Sequence, residues 1–387
     1  MDDLYLRVAT ESERQLEIEF TASGSEYFRI WIVNLLLTLV TLGLYYPFAK
    51  ARRIRYFYAN TLVDGQALAF HGDPWKMFRG FVLLALLGGA YSLGGKVSPM
   101  AGLIAFCLLA AIWPALWRAS LQFRLGNTSW RGMRFRFEGD LKPAYFCFLP
   151  IGLPMIVSVL ASLEMRSSME AGASDAAALG SIAIVSGLAS LLITLLWPWA
   201  LTLMKRYQHG GYSYANQRTQ LDVGNGSVYG VLMKAFGMMM AAGIVVGILA
   251  AMSIPILRAE HRTVSDGLSF AAIALLYAAV LLTFGPYVTA RLQNLFWGNT
   301  RSEAVRFSSA LSALALFWLT LRNWVLTLLT LSLYRPFAVV QTTRLRLAAM
   351  RVHVNEDIEV WTSRTGTDSP DATGDAAADF FGFDIGL

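Results

Sequence analysis

Eight apolar runs dominate this chain, at about residues 27–48, 78–95, 101–117, 144–163, 179–203, 230–257, 268–290 and 311–337. Most come near the roughly 20 residues that a helix needs to cross the hydrocarbon of a bilayer. A water-soluble domain could not cover so many. Composition agrees, with 56% apolar residues, 15% charged residues and a mean hydropathy of +0.49. The expected fold is an all-α polytopic membrane protein. Six runs read as clear transmembrane helices. The first and last, which end in Pro47-Phe48 and Pro336-Phe337, read as two further segments that either span or re-enter.

Charge orients the six middle runs. Segments 50–79, 118–143, 204–229 and 291–310 together hold 18 Lys and Arg residues, and segments 95–100, 164–178 and 258–267 hold four. The first set is therefore expected in the cytoplasm. The net charge of +6 follows the same geography. Lys and Arg sit just beyond apolar runs, which points to anionic lipid headgroups as partners and away from nucleic acid. The N-terminal MDDLYLRVATESER lacks an apolar core, so no cleavable signal peptide is expected.

Self-comparison shows an internal repeat. Pro114, Pro198 and Pro286 each close an apolar run, and Gly126, Gly210 and Gly298 follow twelve residues later. Asn127-Thr128 matches Asn299-Thr300, and Asn60-Thr61 stands at the same offset from Pro47. The last run repeats the first: Asn34, Thr38, Thr41, Tyr45, Pro47, Phe48 and Ala49 correspond to Asn323, Thr327, Thr330, Tyr334, Pro336, Phe337 and Ala338. Short cytoplasmic β-strands are expected at 16–20, 67–71, 134–138, 219–223, 304–308 and 352–361. The chain then divides into a polar segment 1–25 with a short strand, a repeated membrane domain 26–351, a strand-like segment 352–364 and a disordered acidic tail 365–387.

The terminal runs pose a parity problem. If each spans, the basic residues Arg344, Arg346 and Arg351 end up outside. Gly43 and Ser332 are weak points within the two runs, so a segment that re-enters and leaves on one side is favoured over a plain span.

The stretch around Asn34, Thr41-Leu42-Gly43, Tyr45, Pro47, Ala49, Arg52 and Asn60-Thr61, with its cognate at 323–338, resembles the YjgN-like family over most of residues 17–353. The resemblance implies a multipass protein of the bacterial inner membrane, of unknown function. It carries over no catalytic residue and no cofactor. The last copy departs from the pattern, with Ser332 in place of the Gly, and Val339 and Gln341 where Lys50 and Arg52 stand.

No enzyme signature is present. His71, His209, His261 and His353 lie in separate loops without metal-ligand spacing, and Cys107 and Cys147 read as buried thiols. Two groups remain. Lys50, Arg52, Arg53 and Arg55, with Tyr56 and Phe57, read as a basic aromatic helix contacting lipid headgroups. Asn34, Arg322 and Asn323 read as a polar site within the membrane, or else as interhelical hydrogen bonds. Gly243 and Gly247 read as a close-packing face. The expected function is a lipid-interacting or scaffold membrane protein with a basic cytoplasmic face and no cofactor. The alternative is a transporter or channel for a small solute or lipid, with its pathway at the repeat interface.

Overall fold

The computed structural model describes residues 14–170, 176–215, 217–260, 278 and 282–355. Five helical hairpins follow one another. Their outgoing and returning arms are Gly24–Val40 with Tyr46–Ala59, Pro74–Val97 with Pro99–Gly126, Leu141–Glu170 with Ala176–His209, Asn225–Glu260 with 282–298, and Ala313–Leu329 with Arg335–Ala348. Local chemistry sets the arm ends. Ser23, Asp73 and Ser312 accept from the backbone amides of Glu26, Trp75 and Ala315, capping outgoing arms. Pro47 and Pro336 open two returning arms, where a missing amide hydrogen costs nothing. Pro114 and Pro198 lie inside longer returning arms. These four prolines and Pro286 are all buried.

Among the described residues, five helices are long and apolar enough to cross a membrane: Pro74–Val97, Met100–Gly126, Leu141–Met169, Gly180–His209 and Asn225–Val245. The run at 268–290 lies mostly outside the described residues, as do the suggested strand beyond residue 355 and the acidic tail. The first and last runs are not single helices. Each breaks into two antiparallel arms at a tight turn. Thr41 Oγ1 donates to the Leu37 carbonyl (2.7 Å) and accepts from the Tyr45 amide (3.0 Å), while Gly43 N donates to the Thr38 carbonyl (2.7 Å). The last run repeats each bond: Thr330 to Leu326 (2.7 Å), Tyr334 to Thr330 (2.9 Å) and Ser332 to Thr327 (2.7 Å). Leu42 and Gly43 have φ of 51° and 93°, and Leu331 and Ser332 have 48° and 74°. Gly43 suits that left-handed backbone, whereas Ser332 adopts it with a Cβ.

At the base of the hairpins lies a collar of short strands. Each of the first four returning arms runs into a strand, turns, and gives a second strand that pairs with the following unit. Thr61–Val63 pairs with Gln66–Ala67, and Ala69–Phe70 pairs with Thr128–Trp130. Thr128–Trp130 pairs in turn with Met133–Arg134, and Arg136–Phe137 with Tyr212–Tyr214. Tyr212–Tyr214 pairs with Gln217–Arg218, and Gln220–Leu221 with Thr300–Arg301. Thr300–Arg301 then meets Val305–Ser309, which pairs with Met350–Val354. The N-terminal strand closes the circle. Its first part, Arg14–Leu16, pairs with Val354–Val352, and its second part, Ile18–Phe20, pairs with Val63–Thr61. Four small sheets are thus linked by strands that bend from one sheet into the next. The first and last described residues therefore sit at the same face, beside one another.

Two contacts recur at every junction of the ring. The residue after each second strand donates its amide to the carbonyl that ends a neighbouring returning arm: Thr21 to Asn60 (3.0 Å), His71 to Asn127 (2.8 Å), Glu138 to Gly211 (2.8 Å), Asp222 to Asn299 (3.1 Å) and Ala310 to Ala349 (2.9 Å). A side chain on each returning arm also holds the carbonyl two residues before the next outgoing arm. These are Arg55 on Gly72 (2.8 Å), Arg118 on Gly139 (2.7 Å), Arg206 on Val223 (3.0 Å), Asn294 on Leu311 (2.9 Å) and Arg344 on Ala22 (2.7 Å). The Asn-Thr pairs have a matching job. Asn60, Asn127 and Asn299 side chains donate to the carbonyls of Tyr56, Phe123 and Leu295, and Thr61, Thr128 and Thr300 to those of Phe57, Arg124 and Phe296. They satisfy helix-end carbonyls and turn the chain into its strand.

The collar is filled. Leu16, Trp130, Tyr214, Ala215, Val352 and Val354 are buried together at its centre, with Leu68, Phe135 and Phe307 packed against them. Outside the collar the helices keep broad apolar faces exposed, as Leu86, Leu93, Leu188 and Leu191 show. Among the described residues nothing stands within 4 Å of where a Cβ on Gly243 or Gly247 would be, and most of the run at 268–290 lies outside them. Close approach occurs within the second hairpin, where a Cβ on Gly102 would meet the Gly95 Cα at 2.9 Å. Cys147 is buried as expected, but Cys107 is exposed.

Candidate functional site

Above the filled collar, between the bases of the hairpins, lies a chamber of about 1120 Å³. Its floor includes Leu16, Trp130, Tyr214, Val352 and Val354. Its upper wall is apolar: Leu195, Trp197, Leu232, Met233, Phe236 and Phe284. Between floor and wall, three returning arms deliver one cation each, Arg124, Lys205 and Arg346. Arg124 Nε donates to Tyr58 Oη (3.2 Å), Lys205 Nζ to Gln208 Oε1 (3.1 Å) and Arg346 Nε to Gln293 Oε1 (2.8 Å). Lys205 Nζ also stands 5.9 Å from the Phe296 ring centre. Among the described lining residues there is no Asp or Glu.

Burial pushes the Tyr212 phenol up to about 12, with the Arg124 charge opposing it. Burial likewise pulls the Arg346 guanidinium below its ordinary value. Two histidines flank the chamber floor or its neighbours as structural links: His209 Nδ1 lies 2.9 Å from Thr300 Oγ1, and His71 Nε2 lies 2.8 Å from Ser129 Oγ. Each joins adjacent units.

The residues singled out from sequence fall elsewhere. Arg52 and Arg53 are exposed on the first returning arm, and Lys50 is half-buried. Arg55 is committed to the Gly72 carbonyl. Tyr56 accepts from the Ser23 amide (3.1 Å) and donates to Glu26 Oε2 (3.0 Å). Phe57 packs edge-on against Tyr27, with ring centres 4.9 Å apart. Arg55, Tyr56 and Phe57 each make contacts within the protein, Arg55 while remaining exposed. Asn34 and Asn323 are buried, and each donates to the returning arm of its own hairpin, at Ala49 and Ala338 (both 3.4 Å). Arg322 is exposed and donates to Gln341 Oε1. The three do not line the chamber, and their contacts are those of interhelical hydrogen bonds. The chamber cations were not singled out from sequence. Their only signal was position, since Arg124 and Arg346 both stand ten residues after a repeat proline.

A protein-family model described as bacterial protein of unknown function (DUF898) matches residues 15–380. An inner membrane protein YjgN of Salmonella typhimurium strain LT2 is 24% identical over 358 residues, covering 85% of this chain and 86% of the relative. A YjgN of Escherichia coli O157:H7 is 32% identical over 142 residues, 34% of each chain. No solved structure matches. With the family model spanning almost all of the helical ring, and five helices able to cross a bilayer, the chain belongs to the DUF898 family and is a multipass, YjgN-like protein of the bacterial inner membrane.

Proposed function

We propose that the protein is a non-catalytic, lipid-interacting scaffold of the inner membrane, built from five copies of one hairpin-and-strand unit closed into a ring. In this reading the collar faces the cytoplasm, because the basic segments all end there. The three middle hairpins span the bilayer. The first and last are re-entrant. Their outgoing arms have 17 residues each, about 25 Å of helix, and their exposed tips are Leu42 and Leu331. A bilayer would cover those tips without letting them through.

The observation that carries this reading is the filled collar. With Leu16, Trp130, Tyr214, Val352 and Val354 packed across its centre, the described residues fill the ring axis at the level of the collar. What the ring offers instead is apolar flank and a cationic rim. Arg52 and Arg53 are exposed where the first returning arm leaves the membrane. Each cation near an anionic leaflet is worth about 1 kcal/mol. The double variant Arg52→Gln/Arg53→Gln should therefore lose roughly thirtyfold in affinity for phosphatidylglycerol at this rim. Counting phosphatidylglycerol retained on the purified protein checks this, with thermal stability unchanged. Arg55→Gln should do the reverse, lowering stability by about 1.5–3 kcal/mol and sparing retention. Wild-type retention by the double variant would remove lipid contact at this rim. A second reading, carriage of a lipid or small solute, is favoured by the chamber.

A further inference from the structure

We propose that the chamber above the collar binds one anionic amphiphile, with a phosphate or carboxylate head held by Lys205, Arg346 and Arg124 and an apolar chain lying along Trp197, Met233, Phe236 and Phe284. The site is separate from the rim contact at Arg52 and Arg53 and does not depend on it.

Four observations meet here. The chamber, at about 1120 Å³, lies just above the range of about 300–1,000 Å³ for small-molecule sites. Its charge is of one sign among the described lining residues. Partly desolvated cations gain from compensating charge, and half-buried Lys205 and the more exposed Arg346 have only neutral partners in the contacts named above, Gln208 and Gln293. An anion between them would supply that compensation with charge-assisted hydrogen bonds. Last, the cations come from different units, so the head would stand at the meeting of returning arms, where the collar floor stops it from passing further.

Polarity is graded along the chamber. The cations lie at the collar end, level with the ends of the returning arms. Leu195, Trp197, Phe236 and Phe284 lie toward the membrane end. A free inorganic anion would use the first group and leave the second wet. A neutral lipid would use the second and make no charge-assisted bond with the first. An amphiphile satisfies both.

The test uses the full-length chain, purified in dodecyl maltoside and stripped of lipid. Native mass spectrometry titrates it with dodecyl phosphate, with inorganic phosphate as head-only competitor and dodecanol as neutral chain. The expected result is one dodecyl phosphate per chain, not displaced by equimolar inorganic phosphate and not reproduced by dodecanol. Lys205→Gln should weaken binding about tenfold and Lys205→Arg should restore it. Met233→Glu, on the exposed apolar wall, should also weaken it, through repulsion of the bound anion. Arg52→Gln/Arg53→Gln should leave the stoichiometry at one. Equal affinity of wild type and Lys205→Gln overturns the assignment. So does displacement by equimolar phosphate, which would make the chamber a free-anion site, or equal binding of dodecanol, which would make it a neutral-lipid site.

Discussion

Leu16→Asp should abolish accumulation of folded protein. Leu16 is 2% exposed, and its neighbours in the collar are Trp130, Tyr214, Val352 and Val354. Losing a buried Leu costs about 2–5 kcal/mol, and an unpaired buried carboxylate adds several more. Domains hold about 5–15 kcal/mol in total. The strand around Leu16 also pairs on both sides of the ring, with Val354–Val352 and with Val63–Thr61. Its loss would leave Met350–Val354 and Thr61–Val63 with one partner strand each instead of two. Gln15→Asp, one residue away on an exposed position, should be tolerated, and Leu16→Ile should cost less than about 1.5 kcal/mol. Membrane-fraction yield and thermal unfolding of these three variants check the expectation. A stable Leu16→Asp protein would mean that the collar is not the closing element of the ring.

The terminal hairpins give the second large effect, an all-or-none one. Single cysteines placed at Leu42 and Leu331, in a chain lacking Cys107 and Cys147, should resist a membrane-impermeant maleimide from either side of the membrane. Cysteines at Gln66 and Arg134, exposed at the collar, should react only in inverted vesicles, and one at Lys96 only in spheroplasts. The reason is length. Pro99–Gly126 has 28 residues, about 42 Å, against about 25 Å for the 17-residue arm Gly24–Val40. Reaction of the Leu42 cysteine in spheroplasts would show that the first run spans.

Much of the ring was legible in sequence because its junctions use residues with little freedom. A proline that must be buried, and an Asn-Thr pair that must cap a helix and start a strand, recur at fixed spacing and can be read without a structure. The break at Gly43 and Ser332 was legible for the same reason, since left-handed backbone favours few residues. The second strand of each collar hairpin alternates over five residues and was expected. The first strand, such as Thr61–Val63 or Thr128–Trp130, has three residues and is too short to show a period. Arg55, Tyr56 and Phe57 looked like a lipid-facing group because charge and aromatic rings together fit a membrane interface. The same chemistry also serves a junction between units, where Arg55 finds a carbonyl and Tyr56 a helix cap. The chamber was invisible because its cations come from three arms that are far apart in the chain. Only closure of the ring brings them together.

Ring closure is therefore the claim on which the rest depends, and one pairing tests it directly. Gln15 and His353 are register partners across the N- and C-terminal strands. In a chain lacking Cys107 and Cys147, Gln15→Cys/His353→Cys should form an intramolecular disulfide on mild oxidation in native membranes. It should appear as a single faster-migrating monomer band that reverts on reduction. Absence of that band, or cross-linking only between separate chains, would contradict a closed five-unit collar.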